Sequence, residues 1–217
     1  YSASQSDEDA FYQYHHLERC TIPHQGFDRN GENPSAREFL NDVRFKEEHV
    51  RRCAVLASGG GTNFQALLDR RRCGDLHVEF VVLISNNSSA GACRRAGADG
   101  IPVQHLPPSG FADESSYCAR LLEVLDEYRV ELIVLAGYMK KIPVEVVRRY
   151  RNAMINIHPG LLPAFGGKGM YGMHVHEAVV DYGAKVTGIT VHFVDEHYDH
   201  GPVILQEPVR VLEGDTA

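Results

Sequence analysis

Short apolar runs alternate with amphipathic stretches along this chain from about residue 52 onward. Three runs, Cys53–Ala57, Phe80–Ile84 and Leu132–Ala136, are apolar throughout, which is typical of strands buried on both faces of a parallel sheet. Further strands are predicted around Val103 and over Met154–Ile157, Thr187–Val194 and Val203–Leu205, and helices over about 63–72, 90–98, 113–128 and 174–181, with one more beginning at Pro143. This alternation predicts an α/β fold: a doubly wound, mostly parallel sheet with helices on both faces.

The first 51 residues do not follow this pattern. They are polar and irregular, with an acidic cluster at Asp7–Asp9, and we interpret residues 1–51 as an N-terminal arm. Residues 52–217 then form the domain. The chain begins with Tyr1 instead of a methionine and ends at Ala217 without a closing helix, so we expect a fragment that lacks the C-terminal end of its domain.

Composition narrows the classes of function. The 22 Lys and Arg against 29 Asp and Glu give a formal charge of −7, which disfavours a nucleic-acid partner. No apolar run approaches the roughly 20 residues of a membrane span, so no membrane partner is expected. The five cysteines form no Cys-x-x-Cys pair and indicate reduced thiols, as in the cytoplasm. An organellar location stays open.

The stretch Asn156–Pro163 carries the first candidate chemistry. Asn156 and His158 lie two positions apart on a predicted strand, so their side chains point to the same face. An amide can stabilise a developing oxyanion, and an imidazole can exchange a proton near neutral pH. The pair therefore indicates acyl transfer or hydrolysis at a carbonyl. A turn with a buried histidine satisfied by the backbone is the alternative.

The first strand is followed by a glycine-rich turn, Ala57–Asn63, that leads into a helix. Such a turn can aim backbone N–H groups at one point, beside the partial positive charge of the helix N-terminus. It lacks the Gly-Lys-Ser/Thr of a Walker loop, so it predicts a site for a phosphate monoester without a required Mg²⁺. The alternative is a simple tight turn.

A loop rich in carboxylates and imidazoles, Asp195–Pro202, follows a strand on which Thr190 and His192 share a face. A carboxylate beside His158 would raise the pKa of the imidazole and fix its orientation. Spacing does not choose among the acidic residues of the loop, and a metal site or a charged surface turn are alternatives. Gly166–Gly169 is interpreted as a mobile lid. One of His174 and His176 is expected to touch the substrate.

Several motifs occur together and in a familiar order. They are Ser58–Asn63, Leu135–Met139, Asn156–Pro159, Leu161–Pro163, and His192–Val194 leading to Asp199–Pro202. Over about residues 52–217 the chain resembles the phosphoribosylglycinamide formyltransferases, folate-dependent enzymes of purine biosynthesis. The resemblance implies a Rossmann-like formyltransferase fold and transfer of a formyl group from 10-formyltetrahydrofolate to the amine of glycinamide ribonucleotide.

The resemblance also implies roles for individual residues. Asn156, His158 and Asp199 match the catalytic positions, Thr190 and His192 match supporting positions, and Gly61, Thr62, Asn63 and His174 match the substrate side. The co-substrate 10-formyltetrahydrofolate is assigned to Met139, Lys140, Lys141 and Ile142 together with Asp195, Glu196, His197 and Tyr198. Some relatives carry an arginine at or near the positions of Lys140 and Glu114. These differences bear on the affinity for the folate tail and not on the chemistry.

The resemblance implies no metal, and it implies a monomer or a homodimer that binds glycinamide ribonucleotide and folate. Two alternatives remain. In a formyltetrahydrofolate hydrolase, water would replace the amine, and a phosphate-binding turn would have no use. A non-catalytic folate-binding module would bind ligand without turnover.

Overall fold

The computed structural model describes residues 49–217. The strands are β1 Arg51–Leu56, β2 Val78–Ser85, β3 Val103–His105, β4 Leu132–Leu135, β5 Met154–His158, β6 Val186–Phe193 and β7 Val203–Arg210. The α-helices are α1 Thr62–Arg72, α2 Gly91–Ala98, α3 Glu114–Glu127, α4 Val144–Arg149 and α5 Met173–Tyr182, and a 3₁₀ turn spans Pro108–Gly110. Each predicted element is found, with bounds that differ by one or two residues, and β7 is longer than the sequence pattern indicated.

All described strands belong to one seven-stranded sheet in the order β3-β2-β1-β4-β5-β6-β7. Strands β1 to β5 pair in parallel, whereas β6 is antiparallel to both β5 and β7. The prediction of a mostly parallel α/β sheet is therefore confirmed. The antiparallel pairing of β7 with β6 has a simple cause, because the nine residues between them contain no helix that could make a parallel crossover.

Helices cover both faces of the sheet, as the apolar runs required. On one face α3 and α4 pack against β1, β2 and β4 in a core that includes Leu121, Leu125 and Val146. On the other face α1 and α2 pack against the same strands, with Phe64 and Ala96 fully buried. Side chains from β1 and β4 enter both cores, so these two strands are the centre of the domain.

The chain reverses its direction of winding between β1 and β4. It first proceeds outward from β1 to β2 and β3, then crosses back to place β4 on the other side of β1. In such sheets the loops that leave neighbouring strands at this point diverge and open a crevice at the carboxyl ends. The segments that follow β1 and β4 carry Gly61–Asn63 and Met139–Ile142, and β5 itself carries Asn156 and His158, so the topology brings these predicted residues to one crevice.

Most of the predicted N-terminal arm, residues 1–48, lies outside the described residues, and the division of the chain at residue 51 stays a prediction. Within residues 49–217, no helix is long and apolar enough to cross a membrane.

The close contact between β6 and β7 gives a stability prediction. A Cβ added at Gly188 would lie 2.0 Å from the Glu207 carbonyl oxygen and 2.9 Å from Leu161 Cδ2. We expect Gly188→Ala to lower the free energy of unfolding by about 1–3 kcal/mol through overpacking. Gly97 in α2 has open space around it, so Gly97→Ala is the matched control and should raise stability by about 0.5–1 kcal/mol. Urea unfolding of both variants tests this, and equal effects would contradict the packing argument.

Candidate active site

Strand β5 presents the predicted amide and imidazole to the same face. Asn156 pairs with His192 of β6, and His158 pairs with Thr190, so two residues of each strand lie opposite one another. His158 and His192 are each 2% exposed, and Thr190 is fully buried. The alternation of side chains along both strands therefore assembles this group directly from the sheet register.

Asp199 brings the only carboxylate among the described residues that contacts this group. Its Oδ1 lies 3.4 Å from Asn156 Nδ2, 3.6 Å from His158 Nδ1 and 3.7 Å from His192 Nε2. Its Oδ2 accepts a hydrogen bond of 2.9 Å from the Gly167 N–H. The structure thus selects Asp199 from the three acidic residues that spacing left open.

The orientation of Asn156 follows from its contacts with His192. His192 Nδ1 lies 2.8 Å from the Phe193 carbonyl oxygen, to which it can only donate. In the neutral ring Nε2 is then an acceptor, and it lies 3.1 Å from Asn156 Nδ2. The second Asn156 N–H makes the longer contact with Asp199. His192 is therefore a supporting residue that fixes the amide.

Burial decides the charge of the imidazole. It lowers the pKa of His158 below 6.5, although the Asp199 carboxylate and the Phe165 carbonyl both act to raise that pKa. The predicted effect of the carboxylate is present, because Asp199 acts to raise the imidazole pKa, but desolvation outweighs it and the net shift is downward. Burial also acts to raise the pKa of Asp199, but the neighbouring His192, the Gly167 N–H and His158 outweigh it and lower this pKa. At neutral pH the pair is a neutral imidazole beside an ionised carboxylate.

The predicted lid, Gly166–Gly169, and the residue before it contact both Asp199 and His158. The Phe165 carbonyl oxygen lies 3.0 Å from His158 Nε2, and the Gly167 N–H binds Asp199. Phe165 has a φ of 53° and Gly167 a φ of 97°, so the segment is sharply turned. At Gly166 a Cβ would lie 2.5 Å from Leu162 Cδ2 and 3.3 Å from Asp199 Cβ, so glycine permits the close approach. Sequence reasoning placed this loop near the site but missed its backbone contacts.

Thr190 holds the turn that follows β5. Its hydroxyl donates to the Gly160 carbonyl oxygen at 2.6 Å and accepts from the Leu162 N–H at 3.1 Å. Gln206 of β7 adds bonds from its side-chain amide to Thr190 Oγ1 and to the Leu162 carbonyl oxygen. Thr190 therefore stabilises the turn that follows β5, and its side chain does not line the crevice.

The glycine-rich turn packs on the neighbouring helix. Gly61 has a φ of 78°, and a Cβ there would lie 2.7 Å from the Ala92 Cα. Gly61 precedes α1, and its carbonyl oxygen accepts the first helical bond from the Gln65 N–H. Thr62 and Asn63 thus form the first turn of α1, where N–H groups have no partner within the helix.

Ser58 joins this turn to the segment after β4. Its hydroxyl accepts a hydrogen bond of 2.9 Å from the Met139 N–H and donates to Asn86 Oδ1. Its own N–H donates to the Gly137 carbonyl oxygen at 3.0 Å. A side chain that is only 8% exposed therefore ties together the two loops at the switch point. Sequence reasoning missed this role because the partners are distant along the chain.

Several hydrogen bonds and ion pairs stabilise the Asp195–Pro202 loop. Asp195 accepts from the His197 N–H and contacts His200 Nδ1 at 2.7 Å. Glu196 pairs with Arg148 of α4. Asp199 has a φ of 51°, which Asp tolerates better than most residues. These contacts shape the loop so that it returns over β5 with the Asp199 side chain directed at the imidazole.

Most of these residues line one cleft of about 1200 Å³. The predicted residues that line it are Thr62, Asn63, Met139, Lys140, Lys141, Ile142, Asn156, His158, His192, Asp195, Glu196, His197, Tyr198 and Asp199. Gly61, Thr190 and His174 are not among the lining residues. His174 is exposed, with its ring 4.9 Å from that of Tyr171 and its Nδ1 3.4 Å from the Gly169 carbonyl oxygen. His176 lines the cleft instead, and Gln65 and Arg95 do so beside the turn.

Within residues 49–217, no group of three or more His, Cys, Asp or Glu side chains is arranged to hold a metal ion. The carboxylates of the Asp195–Pro202 loop, for which a metal site was an alternative, have other partners: Asp195 contacts His200, Glu196 pairs with Arg148, and Asp199 accepts from the Gly167 N–H.

Comparisons with known proteins agree with this geometry. The family model described as formyl transferase matches residues 51–217. The chloroplastic phosphoribosylglycinamide formyltransferase of Vigna unguiculata is 45% identical over 167 residues, which are 77% of this chain and 54% of that protein. The crystal structure of phosphoribosylglycinamide formyltransferase from Bacillus halodurans is 37% identical with a TM-score of 0.72, covering 76% of this chain and 83% of that one.

A second activity occurs among the similar structures. A formyltetrahydrofolate deformylase from Pseudomonas syringae is 29% identical with a TM-score of 0.69, over 78% of this chain and 54% of that one. The chain spans a little over half the length of the Vigna relative. The match nevertheless covers all the described strands and helices, and it confirms the resemblance drawn from the motifs: the chain belongs to the formyl transferase family.

Proposed function

We propose that this chain transfers a formyl group from 10-formyltetrahydrofolate to the amine of glycinamide ribonucleotide, a step of purine biosynthesis. The observation that carries the proposal is that one cleft contains both the glycine-rich turn at the start of α1 and an imidazole beside a carboxylate. The names of the Vigna and Bacillus relatives support the same reaction.

The residues that line the cleft suit both substrates. Thr62 and Asn63 open helix α1 and suit the phosphate of the ribonucleotide. Met139–Ile142 and Asp195–Tyr198 line the same cleft, and there we place the pterin and its neighbouring ring. Lys140 and Lys141 are exposed and suit the carboxylates of the folate tail. Asn156 and His158 also line this cleft.

The arrangement suits attack of an amine on the formyl carbon. As the tetrahedral intermediate forms, one Asn156 N–H would exchange its long contact with Asp199 for the oxyanion. The neutral His158 would accept the proton of the attacking amine and return it toward the departing N10. Asp199 would stabilise the imidazolium during this transfer. Alignment of two bound substrates supplies much of the expected rate.

A formyltetrahydrofolate hydrolase is the second candidate, favoured by the similarity to the Pseudomonas deformylase. In that reaction water would attack the same carbon with the same amide and imidazole. The anion-binding turn argues for the transferase, because water needs no phosphate site. A monomer or homodimer in the cytoplasm or in an organelle remains our expectation for the assembly and its location.

The first prediction separates these functions. Release of deformylated folate, followed by absorbance, should depend on glycinamide ribonucleotide and should be at background without it. Release that is independent of the ribonucleotide would establish the hydrolase. A folded sample that binds folate but releases nothing under either condition would contradict both enzymes and favour a binding module.

The second prediction concerns the imidazole. His158→Ala should lower kcat by about 10²–10⁴-fold, because the proton acceptor is lost. His77 is exposed and does not line the cleft, so His77→Ala is the control and should retain wild-type turnover. Circular dichroism and thermal melting would show that both variants fold. Near-normal turnover of a folded His158→Ala variant would exclude the assigned role.

The third prediction follows from the lowered pKa of His158. A protonated imidazole cannot accept the proton of the amine, so kcat/KM should fall on the acid side with its midpoint below pH 6.5. In Asp199→Asn the residue keeps its tolerance of the left-handed backbone but loses the charge that raises this pKa. The midpoint should therefore move to still lower pH. NMR titration of the imidazole in both proteins tests this, and an unchanged or raised midpoint would contradict it.

A further inference from the structure

The backbone carbonyls of the glycine-rich turn are engaged by helix α2. The Gly59 carbonyl oxygen accepts from the Ala92 N–H at 3.2 Å, and the Gly60 carbonyl oxygen accepts from Arg95 Nε at 3.0 Å. At Gly91 a Cβ would lie 2.5 Å from that same Gly60 oxygen, so helix and turn are in direct contact. Two successive carbonyls therefore point at α2.

This fixes the direction of the amides. In a trans peptide the C=O and N–H groups point in opposite directions. With the carbonyls of Gly59 and Gly60 aimed at α2, the N–H groups of Gly60 and Gly61 point away from that helix. Among the described residues no group accepts a hydrogen bond from either of them. Gly60 lines the cleft with Thr62 and Asn63, so these free donors suit an anion in the cleft.

The side chain of Arg95 stabilises this orientation of the turn. Its Nε binds the Gly60 carbonyl, and its Nη1 donates to Gln65 Oε1 of α1 at 2.8 Å. The guanidinium thus bridges α2, the turn and α1, and it lines the same cleft. Its planar fork suits two acceptors at once. The adjacent Arg94 is exposed and does not line the cleft.

We propose that Arg95 is a positioning residue for a phosphate monoester bound at the turn. It fixes the peptide between Gly60 and Gly61 so that its N–H faces the anion, and it adds a full positive charge beside that site. The identity of the anion as the phosphate of the ribonucleotide rests on the proposed function. The proposal that the turn binds a phosphate monoester does not rest on it.

The competing explanation is that Arg95 only packs α2 against α1. If Arg95 had only a packing role, its loss would lower stability and would change the KM for both substrates alike. A role in phosphate binding affects only ligands that carry the phosphate, and it changes KM and not kcat. The two explanations therefore differ in a measurement that does not depend on how well the variant folds.

The kinetic test compares Arg95→Ala with Arg94→Ala as a matched control. We expect Arg95→Ala to raise the KM for glycinamide ribonucleotide about tenfold, as for loss of one hydrogen bond to a charged group, with kcat within about twofold. The KM for folate, and that for the nucleoside lacking the phosphate, should not change. Arg95→Lys can reach only one of the two acceptors and should lie between. An unchanged KM, or an equal rise for ribonucleotide and nucleoside, would overturn the proposal.

Binding of ribose 5-phosphate, measured by titration calorimetry, tests the site without turnover. The wild-type and Arg94→Ala chains should bind it alike, and Arg95→Ala about tenfold more weakly. If the wild type binds this probe but transfers no formyl group, the proposed function fails and the role of Arg95 stands. If the wild type is active and both arginine variants bind the probe equally, the function stands and the role of Arg95 is wrong.

Discussion

The buried carboxylate of Asp199 is the interaction on which the rest of the site depends. It is surrounded by an amide, two imidazoles and a backbone N–H, and its side chain is 11% exposed. A charge so buried is tolerated only when its hydrogen-bonding capacity is met. The loop that carries it must therefore fold back over β5, which requires a left-handed residue at Asp199 itself. It also requires Gly201, where a Cβ would lie 1.9 Å from the Phe193 carbonyl oxygen.

The same carboxylate explains why burial of His158 is useful. Desolvation alone would make the imidazolium very unfavourable, and a fully isolated imidazole would be a poor proton acceptor. The nearby charge partly offsets this cost, so the ring is neutral at rest and its protonated form is stabilised when it is produced. Residues 165–167 take part in this balance, because their backbone supplies the Gly167 N–H to the carboxylate and the Phe165 carbonyl to the imidazole.

Much of this structure could be predicted from local patterns. Uniformly apolar runs identified the central strands, and alternation placed Asn156 and His158 on one face. Contacts that depend on tertiary folding could not be predicted. Spacing did not distinguish Asp199 from its acidic neighbours, since the path of the loop decides which one reaches the imidazole. The net shift of the His158 pKa depends on burial, and the bond from Arg95 to Gly60 depends on how α2 packs.

In the proposed reaction, the relative position of the two substrates would be set by the sheet and not by the loops around it. Ser58 follows β1 and binds the backbone of Gly137 and Met139 after β4, so the glycine-rich turn and the segment after β4 are joined through one buried residue. Both loops begin at adjacent parallel strands whose register is fixed by the ladder. A reaction between two bound substrates gains most when their reactive atoms are held at contact distance. The switch point supplies that constraint, and the side chains of β5 need only manage the charge and proton between them.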